Sequence, residues 1–580
     1  MNDHISKLLV FFDNYANSLI KNNILDNFDL KNINIDYLSN AKRGDVSSNF
    51  FLITKKKLIK KDFDIKSDII NKFKDLDFID KINIPETSFI NIFFKKKYLI
   101  NELFNILNLK QNYGIIKNKK NKKINVEFVS ANPTGPIHVA HLRGAVLGDV
   151  ITSILLKTGN EVTKEYYVND AGSQIDILGN SLYKRYCQLL KINIQMEKNE
   201  YPGEYLKSIA KEIISIDGNK WLDTKDEERL IFFKNFAVKS LINDIKKDLA
   251  LLNIHFDKFT YESDIVKSNV IDKLFNILKD QDLIYEGQLD KPKGEDLKDW
   301  EPRNQLLFKS SKLFDDVDRS FKKSNGEWTY FANDAAYHYD KYIRKFDKLI
   351  NIWGADHIGY IPRMKSLVQA ISNNNNYLNV LVCQIVKLIK NNEILKMSKR
   401  EDNFISLREV YDIVGKDPLR YFMVSTKNQT PIDFNMNKVI EKNKDNPVFY
   451  CQYAFARATS VINKAKKLDI TYPNQDSINE NFYNYFSEDE IEIILLLLTY
   501  PYLLYQTSNS LEPHRITNYL ENLSSSFHSI WNKGKDNELL RFIDENNLEK
   551  TQAKLLWIES LRIVLKNAFD IIGIHAPDSM

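Results

Sequence analysis

The chain has 580 residues, which is more than one hydrophobic core accommodates, so about two to four domains are expected. Hydrophobic residues make up 43% of it and aromatic residues 12%, which excludes an intrinsically disordered protein. Basic residues number 82 and acidic residues 77, and the formal net charge of +5 excludes a histone-like polycation.

Three widely separated cysteines, Cys187, Cys383 and Cys451, argue against a disulfide framework and favour a reducing compartment. The apolar run at residues 8–12 has acidic residues on both sides, so no signal peptide is predicted. The longest aliphatic run, residues 493–498, is too short to cross a bilayer. We therefore expect a cytoplasmic protein without a membrane partner.

The N-terminal residues 1–112 combine a helical start with strand-like segments at 78–84 and 88–94, which predicts a small α+β domain. A lysine-rich linker follows at residues 111–123. Its lysines are candidates for phosphate contacts, although a solvated connector is the favoured interpretation.

The next segment has the pattern of one half of a nucleotide-binding α/β fold. Residues 124–129 predict a strand, and the turn at 132–136, which contains proline and glycine, breaks it. Apolar residues at helical spacing over 139–150 predict a helix that Gly159 ends, and residues 161–168 predict the next strand.

Two histidines stand at the start of that helix. His138 and His141 are three residues apart, so their side chains share one face of the first helical turn. Free backbone N–H groups and the positive end of the helix dipole add to this site, which suits a polyanion whose charge grows during a reaction. The alternative is a pair of surface histidines, and no cysteine lies near enough in sequence to complete a zinc site.

A second motif, Lys396-Met397-Ser398-Lys399, occurs far downstream. The two motifs together resemble the HIGH and KMSK signatures of class I aminoacyl-tRNA synthetases. Their flanks, SANPTGPIHVAHLRGAVLGD and LKMSKREDNFISL, resemble arginyl-tRNA synthetases more narrowly. The resemblance implies three parts: an N-terminal tRNA-contacting domain at 1–112, a Rossmann-type parallel-sheet catalytic domain at 113–430, and an all-helical anticodon-binding domain at 431–580.

Within the catalytic part, residues 175–325 are interpreted as a helical insertion, after which the sheet resumes at Trp328. A strand at 329–334 is predicted to run into a helix at 335–344. Another strand at 349–353 ends in a glycine, at the sheet edge where α/β proteins bind ligands. From about residue 430 only helices are expected.

The resemblance also implies residue roles. The residues implied to bind ATP are Pro133, Gly135, His138, His141, Gly144, Gly354, Asp356, Lys396, Met397, Ser398 and Lys399, of which both histidines and both lysines are the catalytic ones. Those implied to bind arginine are Glu127, Ser130, Asn132, Tyr330, Asp334 and His357. Those implied to contact tRNA are Asn91, Tyr453 and Arg457.

The amino-acid pocket also has a physical rationale. Tyr330 and Asp334 are four residues apart, and a carboxylate there would bind a guanidinium bidentately while the phenol adds a contact. Glu127 lies in an apolar strand, where an unpaired carboxylate is costly. It is therefore either a second carboxylate of the pocket or an internal ion pair, for which Arg143 is a candidate partner.

The predicted function is an arginine–tRNA ligase that uses ATP, L-arginine and the tRNA for arginine and acts as a monomer. Mg²⁺ is expected to be held mainly by the nucleotide, without a structural metal site in the protein. Ala140 and Asp402 replace glycines that are usual in the family. The alternatives are a class I synthetase for another amino acid and a non-catalytic tRNA-binding relative.

Overall fold

The computed structural model describes residues 4–29, 32–38, 43–116, 121–289, 303–395 and 405–580. The chain forms two compact units. The larger comprises residues 118–441 and 512–514, and the smaller comprises residues 1–117, 442–511 and 515–580.

The N-terminal part of the smaller unit is an α+β module, as the sequence predicted. Its elements are α1 (His4–Lys21), β1 (Ile35–Tyr37), β2 (Val46–Ser48), α2 (Phe50–Lys56), α3 (Ile65–Phe73), β3 (Ile79–Asn83), β4 (Ile90–Phe94) and α4 (Lys96–Leu109). The strands form an antiparallel sheet in the order β1-β2-β4-β3. The two strands predicted for this region are β3 and β4.

The larger unit contains ten helices and eleven strands within its described part. Its elements up to the middle of the unit are β5 (Lys123–Glu127), α5 (Val139–Lys157), β6 (Glu161–Val168), α6 (Ser173–Leu189), α7 (Tyr205–Asp217), α8 (Asp226–Leu251), β7 (Lys258–Tyr261), α9 (Glu262–Lys267), α10 (Val270–Asp280), β8 (Ile284–Gly287), β9 (Gln305–Phe308) and β10 (Arg319–Lys322). The remainder are α11 (Tyr330–Ile343), β11 (Lys348–Gly354), α12 (Ile361–Ser372), β12 (Leu378–Cys383), β13 (Val386–Lys390), β14 (Glu393–Ile394), α13 (Leu407–Val414), α14 (Lys416–Val424) and β15 (Ile432–Asn435).

A five-stranded parallel sheet in the order β12-β11-β5-β6-β7 forms the centre of this unit. Within this sheet β5 comes first along the chain, and β6 and then β7 add to one side of it. The chain later places β11 on the other side of β5. The strand order therefore reverses between β5 and β11, and the carboxyl ends of strands at such a reversal form a ligand-binding crevice.

Helix α5 packs tightly against the end of β5. A Cβ atom added to Gly148 would lie 2.2 Å from Cγ of Phe128, which is far below a normal contact. Only glycine allows the helix backbone to approach the strand this closely. This packing fixes the position of the turn between β5 and α5.

The prediction that residues 175–325 are a helical insertion is wrong in two places. Lys258–Tyr261 is β7, which extends the parallel sheet beside β6, so the sheet resumes well before Trp328. Strands β8, β9 and β10 form a separate antiparallel sheet. Four-residue strands with mixed polar and apolar residues are too short for periodicity to distinguish them from helix or loop.

The predicted strand at residues 329–334 is also wrong, because this segment is the start of α11. Thr329 is the N-cap, and its side chain accepts a hydrogen bond from the backbone N–H of Ala332 at 3.2 Å. The aromatic residues there have β propensity, but the threonine cap and the buried helix face outweigh it.

The C-terminal part of the smaller unit is helical. Its elements are α15 (Pro447–Lys467), α16 (Glu488–Ser510), α17 (His514–Asp536) and α18 (Leu548–Ile572). The expectation of helices alone from about residue 430 fails only at β15, which pairs in parallel with β13 in the larger unit.

The N-terminal module and the helical part belong to the same unit because α4 packs against α16 and α18. The hydroxyl of Tyr113 donates to the carbonyl of Leu497 at 3.4 Å, and the side chain of Asn567 donates to the carbonyl of Lys110 at 2.9 Å. No local sequence pattern indicates this association.

Two helices, α5 and α16, are long and apolar enough to cross a membrane by length and composition alone. Of their apolar windows, 72% and 61% respectively are buried inside the protein, which is typical of core helices. Among the residues that the structure describes, no group of three or more His, Cys, Asp or Glu side chains has the arrangement of a metal site.

Candidate active site

The turn after β5 has an unusual backbone. Val129 and Ser130 both have positive φ angles, of 67° and 41°. This conformation is rare for a β-branched residue such as valine, and it costs of order 1–3 kcal/mol when the surrounding structure enforces it. The Ser130 hydroxyl is held on both sides, since it donates to Glu127 Oε1 at 3.2 Å and accepts from the Tyr167 backbone N–H at 3.1 Å.

The two histidines come together at the start of α5. His138 is the N-cap, and its Nδ1 accepts a hydrogen bond from the Ala140 backbone N–H at 3.2 Å. The rings of His138 and His141 have centroids 4.2 Å apart at an interplanar angle of 43°. The prediction that they share one face is confirmed, and both lie beside the positive end of the helix dipole.

The chain that follows the second sequence motif returns to this turn. Ser406 pairs with His138 as an isolated β-bridge, and the Leu407 backbone N–H donates to the Ile137 carbonyl at 2.9 Å. Ser406 also caps α13 through a capping box with Glu409. Residues Lys396, Met397, Ser398, Lys399 and Asp402 lie outside the described part of the chain.

Helix α7 supports the same turn. Tyr205 donates its hydroxyl hydrogen to the carbonyl of Thr134 at 2.6 Å, and its ring lies against Gly135, where a Cβ would be 3.4 Å from the hydroxyl oxygen. Pro133 and Gly135 are buried. Gly144, one turn further along α5, faces Ile352 of β11. Tyr205 is a residue that sequence reasoning missed.

The other side of the crevice is the turn after β11. Gly354 ends the strand, and a 3₁₀ turn from Ala355 to Tyr360 follows. The side chains of Asp356 and His357 are exposed and adjacent, with 3.5 Å between Asp356 Oδ2 and His357 Nε2. Because β5 and β11 are parallel neighbours, this turn and the histidine turn lie at the same edge of the sheet.

Two carboxylates, Asp334 and Glu262, lie close together at this edge and define the acidic pocket. Asp334 Oδ2 accepts a hydrogen bond from the Tyr360 hydroxyl at 2.6 Å, and Glu262 Oε1 accepts one from the Asn333 side chain at 3.0 Å. Only 4% of Glu262 is exposed. Neither acid is paired with a cation among the described side chains.

The electrostatics of the pocket favour a cationic ligand. Burial raises the pKa of Asp334 to about 7, and the negative charges of Glu262 and Glu127 contribute to the shift. Burial also raises the pKa of Glu262. Acids that hold their protons this strongly would be stabilised in their charged form by a bound guanidinium or ammonium.

A buried phenol stands among these acids. The Tyr167 hydroxyl has no hydrogen-bond partner within the described structure, and its ring stacks on Tyr337 of α11 at 4.3 Å. Burial and then the charges of Glu262 and Asp334 raise the pKa of Tyr167. An unsatisfied buried hydroxyl is costly, so a ligand that hydrogen-bonds to it would recover free energy.

The predicted pair Tyr330 and Asp334 lies on one face of α11, one turn apart. Tyr330 is 70% exposed, and its hydroxyl lies near Gly172 at the start of α6, where a Cβ would be 3.8 Å away. Asn132 donates from its side-chain amide to Gln174 Oε1 at 3.2 Å on the same helix. The start of α6 therefore borders the pocket.

Glu127 is an internal ion pair, but the predicted partner is wrong. Its Oε2 lies 2.5 Å from Nζ of Lys341, which is completely buried. Arg143 instead donates to main-chain carbonyls, those of Thr430 at 2.6 Å and Lys427 at 2.8 Å among them. Lys341 is separated from Glu127 by 214 residues, so sequence spacing had no means of linking them.

The three residues implied to contact tRNA lie in the smaller unit. Asn91 is half-buried on β4, and its Oδ1 accepts from the Ser47 hydroxyl at 2.9 Å. Arg457 on α15 lies 4.2 Å from the ring centroid of Tyr453 and 4.8 Å from that of Trp531. The guanidinium thus contacts two aromatic faces. Trp531 was not predicted.

Comparisons with known proteins agree with this architecture. Residues 102–450 match the family described as "tRNA synthetases class I (R), catalytic domain", residues 14–94 match the "Arginyl tRNA synthetase N terminal domain", and residues 451–580 match the "DALR anticodon binding domain". The arginine–tRNA ligase of Bartonella bacilliformis is 40% identical over 559 residues, which are 96% of this chain and 96% of the relative.

Another similar protein, the arginine–tRNA ligase of Orientia tsutsugamushi, is 41% identical over 92% of this chain and 91% of its own. The solved structure of arginyl-tRNA synthetase from Thermus thermophilus covers 100% of both chains with a TM-score of 0.72 at 18% identity, which shows a shared fold. The histidine turn, the parallel sheet and these full-length similarities show that the chain belongs to the arginyl-tRNA synthetase family of class I aminoacyl-tRNA synthetases.

Proposed function

We propose that this protein is an arginine–tRNA ligase. A carboxylate oxygen of L-arginine attacks the α-phosphorus of ATP and expels pyrophosphate, and the arginyl group then moves from the adenylate to a hydroxyl of the terminal adenosine of tRNA. The observation that carries the proposal is the acidic pocket of Asp334 and Glu262, which lies at the same sheet edge as the two-histidine helix start.

Neither step needs a protein nucleophile, so the residues act by positioning and by stabilising phosphate charge. His138 and His141 donate hydrogen bonds to phosphate oxygens at the start of α5, where the helix dipole also favours negative charge. Lys396 and Lys399 add point charges on the pyrophosphate side. This assignment is supported by Ser406, which returns the following chain to His138. Mg²⁺ enters as part of the nucleotide substrate.

The nucleoside part of ATP is assigned to the two turns of the crevice. Asp356 binds the ribose, and Gly354 and Gly144 let the backbone approach the nucleotide closely. Pro133 and Gly135 are both buried, Gly135 against the ring of Tyr205, and they fix the shape of the histidine turn.

The guanidinium of arginine is assigned to Asp334, with Glu262 as the second acid and Tyr330 closing the pocket from solvent. A planar guanidinium has five N–H donors and binds carboxylates bidentately, which a neutral side chain does not do. Ser130, Asn132 and His357 are assigned to the α-amino and carboxylate groups. Glu127 contributes through the orientation of Ser130, to which it is hydrogen-bonded.

The smaller unit is assigned to tRNA. Asn91 reads a base outside the anticodon, and Tyr453 and Arg457 form part of the anticodon surface, where aromatic faces stack on bases. The protein acts in the cytoplasm as a monomer.

Amino-acid-dependent exchange between pyrophosphate and ATP, with and without the tRNA for arginine, tests the proposal. Arginine should support exchange, and citrulline should not, since it has nearly the same shape but a neutral urea group. Asp334→Asn should abolish the preference for arginine, because the amide is neutral and has an N–H donor in place of one acceptor oxygen. Absence of arginine-dependent exchange with tRNA present would refute the proposal.

A further inference from the structure

A row of buried polar side chains crosses the centre of the parallel sheet. Asn351, Glu127 and Glu165 occupy matching register positions on β11, β5 and β6. All three are buried. Polar groups inside a parallel sheet are costly unless they are fully paired. Each side chain of this row therefore requires a hydrogen-bonding or ionic partner.

Helix α11, which carries Asp334, supplies the partners. Lys341 donates to Glu127 Oε2 at 2.5 Å and to Asn351 Oδ1 at 3.3 Å, and Arg344 donates to Glu165 Oε1 at 2.9 Å. Burial would raise the pKa of Glu165, but the charges of Lys341 and Arg344 outweigh it, and the pKa is lowered. The lowered pKa keeps Glu165 charged.

The hydrogen bonds from Lys341 have a fixed direction. An ammonium group is a donor only, so Asn351 must present its oxygen to Lys341. The amide nitrogen of Asn351 then faces His338 Nε2 at 2.9 Å, and that ring nitrogen must accept. His338 Nδ1 therefore carries the proton and donates to the main-chain carbonyl of Asp334 at 2.9 Å. Burial lowers the pKa of His338 to about 3, which agrees with a neutral ring.

We propose that Lys341 is a positioning residue for the arginine substrate. On one side it fixes Glu127 and hence the Ser130 hydroxyl at the edge of the pocket. On the other side it acts through Asn351 and His338 on the backbone of Asp334. This inference rests on the proposed function, since it assumes that the pocket binds arginine.

The ammonium of Lys341 also determines which acids are available to the ligand. Because Glu127 is already paired with Lys341, the acids without a cationic partner among the described side chains are Asp334 and Glu262. The position of the guanidinium is then set by two acids on helices α11 and α9, and the spacing of α11 from the sheet depends on Lys341.

The decisive variant is Lys341→Met, which removes the ammonium at nearly constant volume. Removing one partner of a buried pair leaves an uncompensated charge. The KM for arginine in tRNA-dependent pyrophosphate exchange should rise about tenfold or more, because the uncompensated charge of Glu127 disturbs the groups that position the substrate, while the KM for ATP should change by less than about twofold. Lys341→Arg keeps the charge and should recover part of the loss.

A matched control separates positioning from general stability. Lys554 in the helical part forms an equally buried pair with Glu490 at 2.6 Å. Lys554→Met should lower Tm without changing the KM for arginine. If Lys341→Met lowers Tm in the same way and leaves the KM for arginine unchanged, the inference is overturned.

Asn351→Leu tests the second arm and serves if Lys341→Met cannot be purified. It breaks the link to His338 while Lys341 and Glu127 remain paired, so the KM for arginine should rise several-fold with the KM for ATP unchanged. An unchanged KM for arginine in a folded Asn351→Leu protein overturns the inference. Absence of exchange in the wild-type protein would instead refute the proposed function itself.

Discussion

Arginine binding should depend on pH because of Asp334. The titratable groups near this carboxyl are Glu262, Glu127, Tyr167 and Tyr360, and together with burial the two acids raise its pKa to about 7. If only the ionised carboxylate binds a guanidinium, the apparent Kd is multiplied by one plus the protonated-to-ionised ratio of the free pocket. That factor is about 11 at pH 6 and about 1.1 at pH 8, so affinity should improve about tenfold over this range.

The stability of the free protein changes with pH in the opposite direction to its affinity for arginine. The carboxyl of Asp334 holds its proton more strongly in the folded protein than in the unfolded chain, so the free protein loses stability as pH rises from about 4 towards 7. Bound arginine removes this loss. The increase in Tm caused by a fixed arginine concentration should therefore be larger at pH 8 than at pH 6.

Isothermal titration calorimetry of arginine between pH 6 and pH 8, repeated in two buffers of different ionisation enthalpy, measures both affinity and proton release. Proton release should be greatest at pH 6, where about nine tenths of the free carboxyl is protonated, and should fall towards pH 8. Asp334→Asn serves as the control, since it should bind weakly and with little dependence on pH. An affinity that is constant from pH 6 to pH 8 in the wild-type protein would refute the reasoning.

Three further predictions concern other parts of the molecule. His141→Ala should lower the rate of pyrophosphate exchange by about 10²–10³, measured at saturating ATP and arginine, because it removes a donor to the phosphates. Gly148→Ala should lower Tm by destabilising the fold by about 1–3 kcal/mol, since its Cβ would overlap Phe128. Arg457→Ala should weaken tRNA binding in filter assays while leaving arginine binding by calorimetry unchanged, and wild-type tRNA affinity should fall steeply with salt.

Local sequence signals were sufficient for the strand–turn–helix that carries the histidines. Proline and glycine end β5, apolar residues at helical spacing define α5, and His138 to His141 is a spacing within one turn. The strand before Gly354 and the C-terminal helices were likewise evident from the spacing of their apolar residues. Such features depend on residues that are close in sequence, where propensity and periodicity operate.

The acidic pocket was only half predictable. Asp334 was identified, but its helix was predicted as a strand because Tyr330 and Phe331 have β propensity and the Thr329 cap was overlooked. No sequence pattern predicted a role for Glu262, because it follows β7, a strand of four residues that was interpreted as part of a helical insertion. Its place in the pocket follows from the strand order of the sheet.

What the sequence determined by itself is the family, the order of the parts and the histidine turn, because these rest on contiguous residues. Only the tertiary structure decided that Lys341, and not Arg143, neutralises Glu127, that β7 completes the sheet, and that α4 packs on α16 and α18. The physical reason is that the cost of a buried charge is removed by whichever cation the fold brings within contact, and sequence separation carries no information about that distance.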